Sequence, residues 1–544
     1  MQPVCQPSNF SDQSALRSAP SPIGDGFVVL ENLLLNFQRC DRRAFLDVYG
    51  DRTRQDPASD YLKKLHQDSL SHQRAVMSAH SVVIPTYPHR NWEAGAAATA
   101  SLMEQGADRI ANGVLRSVQP DGTVLVSRPK LLIKEPGRSD WGDWQYYSAD
   151  IKLGKRAKSD YQVIAAYQAF VLADVQGTWP ETSVLILRNQ NVYEVNLFEQ
   201  VPKMLDILQD CLEMLNQQAE PQVFIARNRC DLCHWFSHCY DQAKQEVHLS
   251  LLPGVTANRY SHLQTLNLTT VEALAETAPR SLEDLPGFGR HVSQKIVRQA
   301  QATLRQQAIL TESGEQRLQR LWTHFEEKAD AGKNAGEDGD RLRLMLDTLL
   351  PSTPIELYFD IEAAPERELI YLHGVLAIDR QTNTQQFHSL LADHPDDEQR
   401  IWDEFLDLVL NQYPTAPIFH FCPYELQTVK KLADYYGTPW ELIEPLADRF
   451  VDIHERVVDF VTLPIESYAL KAIARWVGFD WRDEGANGAQ SIFWYDQWIE
   501  TSDRAFLDTI LRYNEDDCRA TWRVKDWLVT FLQTHAQSLS LPPS

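Results

Sequence analysis

The residues of this chain best suited to chemistry are acidic and lie in its last third. Asp360 and Glu362 stand one residue apart in the apolar segment IELYFDIEAAP, and alternate side chains of a strand share a face. Glu425 follows a later predicted strand, and Tyr513 and Asp517 open a long predicted helix. Two divalent cations about 4 Å apart need several converging carboxylates, whose mutual repulsion is tolerated only when the cations are bound. These elements together predict a site for divalent cations.

Each acidic pattern has a simpler interpretation when it is taken alone. Asp360 and Glu362 can form the solvent-facing end of a strand, and the acids at 515–517 place favourable charge at a helix N-terminus. Three such elements in this chain order make coincidence a poor explanation. Between them, the segment 462–495 carries Lys471, for which substrate contact and plain solvation are equally good interpretations.

A second candidate site lies in the segment 117–152, which predicts two strands joined by the loop EPGRSDWGD. The second strand ends in Asp150-Ile-Lys152, so the carboxylate and the ammonium share a face. The carboxylate can hold Mg²⁺, and the ammonium can steady an attacking water or the charge of a phosphorane. D-x-K occurs by chance in long chains, but here a predicted helix (158–174) and a strand pair (183–197) follow it.

Three of the eight cysteines are clustered with C-x2-C-x5-C spacing: Cys230, Cys233 and Cys239. A close pair with a third thiolate a short loop away fills three corners of one metal site. The fourth ligand is His234, His238 or a cysteine from elsewhere in the chain. Zinc and an iron–sulfur cluster both accept thiolates at this spacing, so both remain open on the residues alone.

Residues 250–305 predict a separate helical module in which six Lys and Arg outnumber four acids. Each half begins with a Leu-Pro-Gly turn that runs into a helix. In the second half, Gly287 and Gly289 let backbone N–H groups at a helix N-terminus face a phosphate. Three basic residues add charge around that turn: Arg290, Lys295 and Arg298. A corner used only for packing is the alternative, but two tandem units with basic charge favour nucleic-acid binding.

The length and charge of the chain limit its possible functions. A chain of 544 residues is too long for one core, so about three domains are expected. The net charge of −23 argues against nonspecific coating of nucleic acid, and most excess acid follows residue 355, where 33 Asp and Glu face 15 Lys and Arg. The sequence contains no G-x-x-x-x-G-K-[ST] motif, so no ATPase motor is expected.

The composition also bears on the compartment. No apolar run approaches about eighteen residues, so no membrane span is expected. The first residues lack the basic and apolar regions of a signal peptide, so no secretory signal is expected either. A clustered set of thiols fits a metal site in a reducing cytoplasm better than a disulfide framework.

Several predicted elements must hold these groups in place. Residues 28–50 predict a short strand and a helix, with Cys40 at the turn between them. Helices are predicted at three further stretches: 60–80, 92–116 and 198–228. Residues 306–350 predict an acidic helical stretch followed by a flexible linker, EEKADAGKNAGEDGD.

The run Cys40-Asp-Arg-Arg-Ala-Phe-Leu, the D-x-K strand and the three late cysteines resemble RecB-like nucleases of the PD-(D/E)xK group. The resemblance covers residues 28–245 and implies a restriction-endonuclease-like fold. It also implies that four cysteines hold a 4Fe–4S cluster, with Zn²⁺ as the alternative. These four residues are called the cysteine cluster below: Cys40, Cys230, Cys233 and Cys239.

The active site implied by this resemblance combines Asp150 and Lys152 with His72 nearby. The family has an aspartate near the end of the first strand, typically after a proline, whereas this chain has Pro129-Lys130. A charged lysine does not ligate Mg²⁺, and its ammonium would lie where the metal is expected.

The helix after the D-x-K strand also departs from the family pattern. Gln162 and Tyr167 stand five residues apart instead of the usual four. Either this site is weak or inactive, or another acid, such as Asp121 or Asp143, replaces the missing aspartate. The residues alone leave these alternatives open.

Asp-x-Glu on a first strand, an acid after a later strand and Tyr-x3-Asp on a last helix resemble DEDD-type 3′–5′ exonucleases of the RNase H-like fold. The resemblance covers residues 355–535. It implies that Asp360 bridges two Mg²⁺ or Mn²⁺ ions, while Glu362 and Asp517 hold the ion that activates water. It implies that Tyr513 orients that water. The acid after the later strand is a glutamate where these enzymes more often have aspartate, so it reaches the second ion directly or through water.

The whole chain resembles bacterial proteins that join four parts: a RecB-like iron–sulfur domain (28–245), helix-hairpin-helix elements (250–305), an acidic helical linker (306–352) and an RNase H-like exonuclease domain (355–535). The implied fold class is multidomain α/β, with a restriction-endonuclease-like domain, a small helical module and a mixed-sheet domain. The implied function is a metal-dependent nuclease, most readily acting on DNA. The alternatives are a non-catalytic nucleic-acid-binding adaptor for a separate helicase and an exonuclease that trims RNA 3′ ends.

Overall fold

The computed structural model describes residues 27–330, 338–483 and 485–539. They belong to two compact units, Met1–Gln242 and Ala243–Ser544, which are described separately. Within the described ranges, no helix is both long and apolar enough to cross a lipid bilayer.

The described residues of the first unit form eight strands and eight helices. The strands are β1 (Val28–Leu30), β2 (Arg109–Ala111), β3 (Leu115–Val118), β4 (Val124–Ser127), β5 (Leu131–Ser139), β6 (Gly142–Ile151), β7 (Ser183–Ile186) and β8 (Val192–Glu194). The helices are α1 (Glu31–Arg39), α2 (Asp41–Tyr49), α3 (Asp60–Ser78), α4 (Trp92–Glu104), α5 (Ser159–Gln176), α6 (Leu197–Gln217), α7 (Arg227–Cys230) and α8 (Phe236–Gln245). The last of these extends a few residues past the boundary of the unit.

Two sheets organise this unit around one buried helix. The larger sheet has the order β2-β5-β6-β7-β8 and is antiparallel except between β6 and β7. The smaller sheet has the order β1-β4-β3, with β1 parallel to β4. Helix α5 is largely buried from Val163 to Gln176 and packs against α1, α6 and strands of both sheets. A helix that is apolar all round belongs inside a core, and here it draws the start of α1 towards the end of β6.

Two predictions for this unit are corrected by the structure. The helix predicted at 92–116 ends at Glu104, because Gly106 adopts φ 69° and the chain then enters β2 and β3. Cys40 separates two helices instead of a strand and a helix. Its extended backbone (φ −167°) ends α1, and its sulfur accepts a hydrogen bond from the N–H of Arg43, which caps α2.

The described residues of the second unit form seven strands and twelve helices. The strands are β9 (Ile309–Leu310), β10 (Ile355–Ala364), β11 (Leu369–Asp379), β12 (Thr384–Leu391), β13 (Ile418–His420), β14 (Phe450–Asp452) and β15 (Val461–Thr462). The first six helices are α9 (Ala257–Thr265), α10 (Val271–Glu276), α11 (Gly289–Arg305), α12 (Glu312–Asp330), α13 (Asp338–Leu349) and α14 (Glu398–Asp407). The others are α15 (Tyr424–Tyr435), α16 (Trp440–Ala447), α17 (Ile453–Phe460), α18 (Leu470–Trp476), α19 (Gly488–Thr501) and α20 (Arg504–Leu539).

The main sheet of this unit has the order β12-β11-β10-β13-β14. Strands β10, β11 and β12 form an antiparallel meander, and β13 and β14 run parallel to β10. Strand β10 is central and apolar on both faces because helices cover both faces. Phe359 packs with residues of α14, α15 and α16, whereas Tyr358 packs on the side of α20.

The segment predicted as an acidic linker is largely part of this unit's core. Leu318 and Trp322 of α12 and Met345 and Leu346 of α13 are buried in the same cluster as α20. Leu318 and Trp322 are four residues apart. On α13 the buried residues Leu342, Met345, Leu346 and Leu349 follow one another at spacings that keep them on one helix face, which explains why an acidic stretch still packs. Residues 331–337 of the predicted linker lie outside the described residues.

Helices α9, α10 and α11 form the module predicted at 250–305. The guanidinium of Arg259 donates to the carbonyl oxygens of Gly254 (2.7 Å) and Gly287 (2.8 Å), so one side chain ties the two Leu-Pro-Gly turns together. The side-chain amide of Gln299 donates to the carbonyl of Leu463 (2.6 Å). The module is therefore fastened to the segment that precedes α18.

Candidate active site

Three carboxylates meet where the central strand β10 passes the last helix. Asp360 and Glu362 lie on β10 and Asp517 on α20, and one oxygen of each lies within 4.8 Å of the others. Glu362 and Asp517 are buried and Asp360 is partly exposed. These three residues are called the acidic triad below. Glu425, at the start of α15, is buried and close enough to raise the pKa of Asp360, but it lies outside the triad.

Each carboxylate of the triad accepts a hydrogen bond from a neutral side chain that the sequence did not single out. Asn514 Nδ2 donates to Asp360 Oδ2 (2.7 Å), Ser491 Oγ to Glu362 Oε2 (2.7 Å) and Trp481 Nε1 to Asp517 Oδ1 (2.6 Å). Neutral donors fix the orientation of a carboxylate without cancelling its charge. The one signal available from sequence was the position of Asn514 inside the Tyr-x3-Asp motif.

A glycine makes room for the contact between Asn514 and Asp360. Gly374 of β11 lies opposite Asp360 in the antiparallel register. A Cβ atom at Gly374 would stand 1.7 Å from Oδ1 of Asn514. Asn514 is fully buried, so a side chain at 374 would force its amide away from Asp360.

Burial and mutual repulsion shape the electrostatics of the triad. Burial is the main cause that raises the pKa of Asp360 well above its usual value, and Asp517, Glu362 and Glu425 add to it. Burial likewise raises the pKa of Glu362 to about 8 and that of Asp517 to about 7. Three converging carboxylates with lone pairs left free form an all-oxygen donor set, which fits Mg²⁺ or Mn²⁺.

A lysine and two tyrosines border the triad. The Tyr513 hydroxyl bonds to Asp517, and burial is the main cause that raises the pKa of Tyr513. Lys471 Nζ lies 5.0 Å from the ring centre of Tyr513 and 5.2 Å from that of Trp481, so it approaches the triad over aromatic faces. Tyr424 is 47% exposed. Partial burial is the main cause that raises the pKa of Tyr424, and Glu425, Glu362 and Asp360 add to it, which places the residue at the rim of the site.

The other acids of the motif on α20 serve a different purpose. Asp516 accepts a hydrogen bond from the Nε of Arg482 (2.9 Å), and Glu515 accepts from Arg482 (2.8 Å) and Arg519 (2.7 Å). These pairs connect α20 to the segment before α19. Of the three consecutive acids, only Asp517 therefore faces the site.

The candidate site of the first unit contains an acid that the sequence analysis missed. Asp150 Oδ2 pairs with Lys152 Nζ at 2.7 Å, as the D-x-K spacing predicts. The amide of Gln168 donates to Asp150 (3.4 Å) and to Glu31 (3.2 Å), the first residue of α1. Glu31 Oε2 also accepts from the N–H of Arg128 (3.2 Å). Only the fold brings Glu31 to this place, over a sequence separation of more than 100 residues.

Lys130 lies within the same site. The β5–β6 ladder pairs Leu131 with Ala149, so one residue further on Lys130 lies across from Asp150 on the same face. Burial lowers the pKa of Lys130, while Asp150 and Glu31 act in the opposite direction. The residues do not fit a divalent cation, because their carboxylates already face two ammonium groups. These residues are called the four-charge cluster below: Glu31, Lys130, Asp150 and Lys152.

Within the described residues, no hydrogen bond or ion pair joins the other predicted residues of this domain to Asp150. His72 lies one turn before Val76, which packs against Ala149 and Ile151 on the opposite face of β6. Four further predicted residues form other hydrogen bonds or lie far from Asp150 along β6. Gln162 donates to the carbonyl of Ala157, Tyr167 donates to that of Val29, Asp121 accepts from Thr123 in the β3–β4 turn, and Asp143 stands seven residues before Asp150 on β6.

The four cysteines converge within the first unit. Burial is the main cause that raises the pKa of each thiol, and neighbouring thiols add to the effect. For Cys230, whose pKa rises to about 11, the contributing neighbours are Cys233, Cys40 and Cys239. The late cysteines therefore meet the cysteine that caps α2, although 190 residues of sequence separate Cys40 from Cys230.

The ligands around these thiols bear on whether the cysteine cluster would hold Zn²⁺ or a 4Fe–4S cluster. Within the part of the chain that the structure describes, the acidic triad is the only group of three or more His, Cys, Asp or Glu ligand atoms within 4.8 Å. Tetrahedral Zn²⁺ with bonds of about 2.3 Å needs sulfur atoms about 3.8 Å apart. His234 Nε2 instead pairs with Asp47 Oδ1 at 2.6 Å. Without a histidine ligand the set consists of four thiols, which both Zn²⁺ and a 4Fe–4S cluster accept.

The glycine turn of the helical module is built as its sequence predicts. Gly287 and Gly289 adopt φ 80° and 65°, a conformation that strongly favours glycine. Arg290 is exposed at the start of α11, and Lys295 is exposed with its Nζ 5.9 Å from the ring centre of Tyr468. Arg298 was predicted to add charge around this turn, but its Nε donates to the carbonyl of Leu310 (2.7 Å) and its charge faces Glu315.

A family model of the RNase H superfamily matches residues 357–529, from the beginning of β10 into α20. A search of curated proteins finds no match to the chain. The matched segment contains the mixed five-stranded sheet and the acidic triad. Residues 357–529 are therefore an RNase H-like domain, and the nuclease-type function of that superfamily is the one with which the acidic triad agrees.

Proposed function

We propose that the chain is a metal-dependent nuclease whose C-terminal domain removes nucleotides from the 3′ ends of nucleic acid, with DNA as the preferred substrate. One observation carries the proposal: three carboxylates from a central strand and a last helix lie within 4.8 Å of each other. Like charges at that distance are costly unless cations are bound between them. Asp360, Glu362 and Asp517 are the ligands, and Glu425 extends the set.

The side chains around the triad have separate tasks in this chemistry. Divalent cations bound there would supply Lewis-acid stabilisation of the phosphodiester and a nucleophile at neutral pH. Asn514, Ser491 and Trp481 hold the three carboxylates in a fixed orientation. The Tyr513 hydroxyl is anchored on Asp517 and orients the attacking water. Lys471 stabilises negative charge on the phosphoryl oxygens.

The exposed ring of Tyr424 suits the terminal nucleotide of the substrate. It stands at the rim of the site, where a base can stack on it. The adjacent Glu425 is held by His420, whose Nδ1 lies 3.3 Å from Oε2. Tyr424 and Glu425 therefore link recognition of the strand end to the site of cleavage.

The module at 250–305 holds the nucleic-acid backbone. The N–H of Gly289 is used by the carbonyl of Glu283 (3.1 Å), so the free donors of the α11 N-terminus begin at Arg290. Arg290 and Lys295 supply the exposed positive charge, whereas Arg298 stabilises the module through the carbonyl of Leu310. A separate helicase is the partner that would open duplexes, because the chain has no Walker-type motor motif.

The cysteine cluster holds a 4Fe–4S cluster that closes the RecB-like domain. Its support is the convergence of one early and three late thiols, a donor set that suits such a cluster. Phe45 and Trp235 pack beside Cys233 and Cys239, which shields the site from water. Its role is structural, since the cluster joins the two ends of the domain.

The test of this function measures shortening of end-labelled DNA and RNA strands with Mg²⁺ or Mn²⁺. We expect release of single nucleotides from 3′ ends, faster on DNA than on RNA. Asp360→Ala should abolish the release, because it removes the carboxylate at the centre of the donor set. Lys152→Ala should leave it unchanged if all cleavage occurs in the C-terminal domain.

The control for this test is Asp508→Asn, an acid on the same helix that faces Arg504 near the surface. It should cleave at the wild-type rate. Equal digestion by wild type and Asp360→Ala would disprove the proposal. Faster trimming of RNA than DNA would assign the same chemistry to RNA 3′ ends.

A further inference from the structure

The chain contains two sets of buried or partly buried carboxylates with opposite charge balance. Among the described residues, the ammonium that acts on the acidic triad is that of Lys471, and the hydrogen-bond donors to its carboxylates are neutral side chains. The four-charge cluster of the first unit has two carboxylates and two ammonium groups, so its formal charge is zero. Only the first arrangement needs divalent cations for neutrality.

Three of the four carboxylate oxygens in the four-charge cluster are bound by donors. Asp150 Oδ2 accepts from Lys152 (2.7 Å) and Gln168, and Oδ1 accepts from the N–H of Ile151 (3.0 Å). Glu31 Oε2 accepts from the amide of Gln168, the N–H of Arg128 and the hydroxyl of Ser127 (3.4 Å). A metal ion bound through Oδ2 of Asp150 or Oε2 of Glu31 would have to displace these donors.

Lys130 completes this arrangement because of its place in the sheet. It continues the β5–β6 register by one residue, which sets it across from Asp150 on the same face. With an acid in place of Lys130, the cluster would have three carboxylates and the ammonium of Lys152, which is a formal charge of −2. A lysine there brings the charge to zero without a metal ion.

Exposed positive charge lies beside this cluster. The loop between β6 and α5, residues 152–158, contains four basic residues and no acid, and is called the basic loop below: Lys152, Lys155, Arg156 and Lys158. Lys155, Arg156 and Lys158 are exposed, and no carboxylate among the described residues pairs with them. The next acid, Asp160, is already paired with Arg39 at 2.7 Å. In a chain of charge −23, such a loop is suited to a polyanion.

We infer that the first unit binds nucleic acid without a metal ion and without cutting it. Lys130 and Lys152 take the charge-balancing place of a divalent cation beside Glu31 and Asp150. The basic loop contacts the phosphate backbone next to this cluster. The unit therefore holds the strand, and any cleavage by the chain takes place at the acidic triad.

The first test counts Mn²⁺ bound to the full chain by electron paramagnetic resonance. The combined variant Asp360→Asn, Asp517→Asn removes ligands of the triad and serves as the background. Adding Asp150→Asn should leave the Mn²⁺ count of this background unchanged. Adding Lys130→Asp should raise it by about one per chain, because the cluster then carries a charge of −2. Lys203→Asp, at an exposed position of α6, is the matched control and should not change the count.

Two results would overturn the assignment. One is a Mn²⁺ ion in the background chain that disappears with Asp150→Asn, a comparison that does not depend on the folding of the Lys130 variant. The other is an equal count for folded chains carrying Lys130→Asp and Lys203→Asp. Neither comparison uses nuclease activity, so failure of the proposed function is seen separately in the Asp360→Ala assay.

The second test measures binding of a labelled DNA strand in EDTA at several salt concentrations. Replacing Lys155, Arg156 and Lys158 by alanine should weaken binding at least tenfold and lower the salt slope by about two to three. The control replaces three exposed basic residues of the same unit by alanine: Lys63, Arg74 and Lys203. Equal affinities and slopes for the two triple variants would contradict the role of the basic loop.

Discussion

The carboxylates of the acidic triad are held by neutral donors, and this type of donor distinguishes them from the neighbouring acids. The acids next to Asp517 on α20 are held by Arg482 and Arg519 instead, which cancels their charge. An amide, a hydroxyl or an indole N–H orients a carboxylate and leaves its negative charge for a cation. The type of donor therefore decides which acids can act as metal ligands.

The first prediction concerns the glycine that admits Asn514 to the site. In Gly374→Ala, the new Cβ should push the Asn514 amide away from Asp360. Because a misplaced ligand costs transition-state stabilisation, we expect kcat to fall about 100-fold with a smaller change in KM. Steady-state kinetics on a labelled strand measure both constants.

The matched glycine is Gly488, the first residue of α19, where an added Cβ meets no atom within 4 Å. Gly488→Ala should retain wild-type kinetics. If Gly374→Ala kept both kcat and the thermal midpoint of wild type, the contact between Asn514 and Asp360 would have no positioning role.

The second prediction concerns His373. It is buried among Phe359, Phe405 and Trp402 on the face of the sheet opposite the acidic triad. Both ring nitrogens lack partners, and burial lowers the pKa of His373 to about 3. The unfolded chain has the ordinary value near 6.5, so it binds the proton first as pH falls. The folded state should therefore lose stability below pH 6.5, by up to about 1.4 kcal/mol per pH unit.

Thermal unfolding at pH 7.0 and 5.0 checks this prediction. His373→Phe keeps a ring in the aromatic stack and removes the titrating group. Its midpoint should match or exceed that of wild type at pH 7.0, since two unpartnered polar atoms are removed. At pH 5.0 the gap between variant and wild type should widen. A gap independent of pH would show that the buried histidine is not the titrating group.

At the scale of elements, α20 is the component that assembles the site. It supplies Asp517 to the triad, Asn514 to Asp360 and Tyr513 to Asp517. Asp517 follows Asn514 by three residues and Tyr513 by four, so their side chains lie on one side of the helix. The same helix is tied to β10 further along by charge. Lys525 Nζ lies 2.8 Å from Oε1 of Glu356, which also pairs with Arg380.

The third prediction tests this tie between helix and strand. Lys525→Met leaves the fully buried Glu356 with less compensating charge, so we expect the free energy of unfolding to fall by about 3 kcal/mol. Urea unfolding followed by circular dichroism gives the value. The double variant Glu356→Gln, Lys525→Met should recover part of the loss, because no uncompensated charge remains at the pair.

The control is Arg523→Met on the same helix, an exposed residue whose guanidinium stacks over Trp522. It should cost less than about 1 kcal/mol. A single variant of Lys525 as stable as wild type would mean that the pair does not hold α20 to β10.

At the scale of the whole molecule, the two units divide the charge and the chemistry between them. The excess acid lies in the last third, around the site that needs cations, and two groups of exposed basic residues lie close to predicted nucleic-acid contacts. Those groups lie in the basic loop of the first unit and at the start of α11 in the second. Local clusters of this kind let an acidic protein bind a polyanion, because salt screens charge beyond about 10 Å.

The fourth prediction separates the two units. Cys233→Ala should release iron and lower the thermal midpoint of the first unit, because four thiols from distant parts of its chain lose their common ligand. The second unit has its own core, so its unfolding transition should not move. Iron per chain by absorption and the two transitions by calorimetry are the measurements.

The control for the cysteine cluster is Cys211→Ala, a buried cysteine in the core of the same unit. It should destabilise the first unit by its cavity but retain the iron. Zinc in place of iron in the wild-type chain would contradict the assignment of the cluster, and retained iron in Cys233→Ala would contradict the ligand set.

The sequence by itself determined the elements and the residue pairs that are close along the chain. Asp360 with Glu362, Asp150 with Lys152 and the three late cysteines follow from the periods of strands and short loops, and the structure places each set together. The RNase H-like domain was also predictable, because its acidic motifs appear in the right order on an apolar strand and a long helix. Local geometry depends on nearby residues, so local patterns reveal it.

Only the tertiary structure decided which distant side chains complete these sets. Glu31 reaches Asp150 because α5 packs both ends of its domain together, and Asn514 reaches Asp360 because Gly374 leaves a gap. The charge balance at Lys130 depends on strand register, which a D-x-K pattern does not contain. The contacts of Glu31 and Asn514 join residues more than 100 positions apart through packing, and the contact of Lys130 depends on register, so no periodicity in the chain records them.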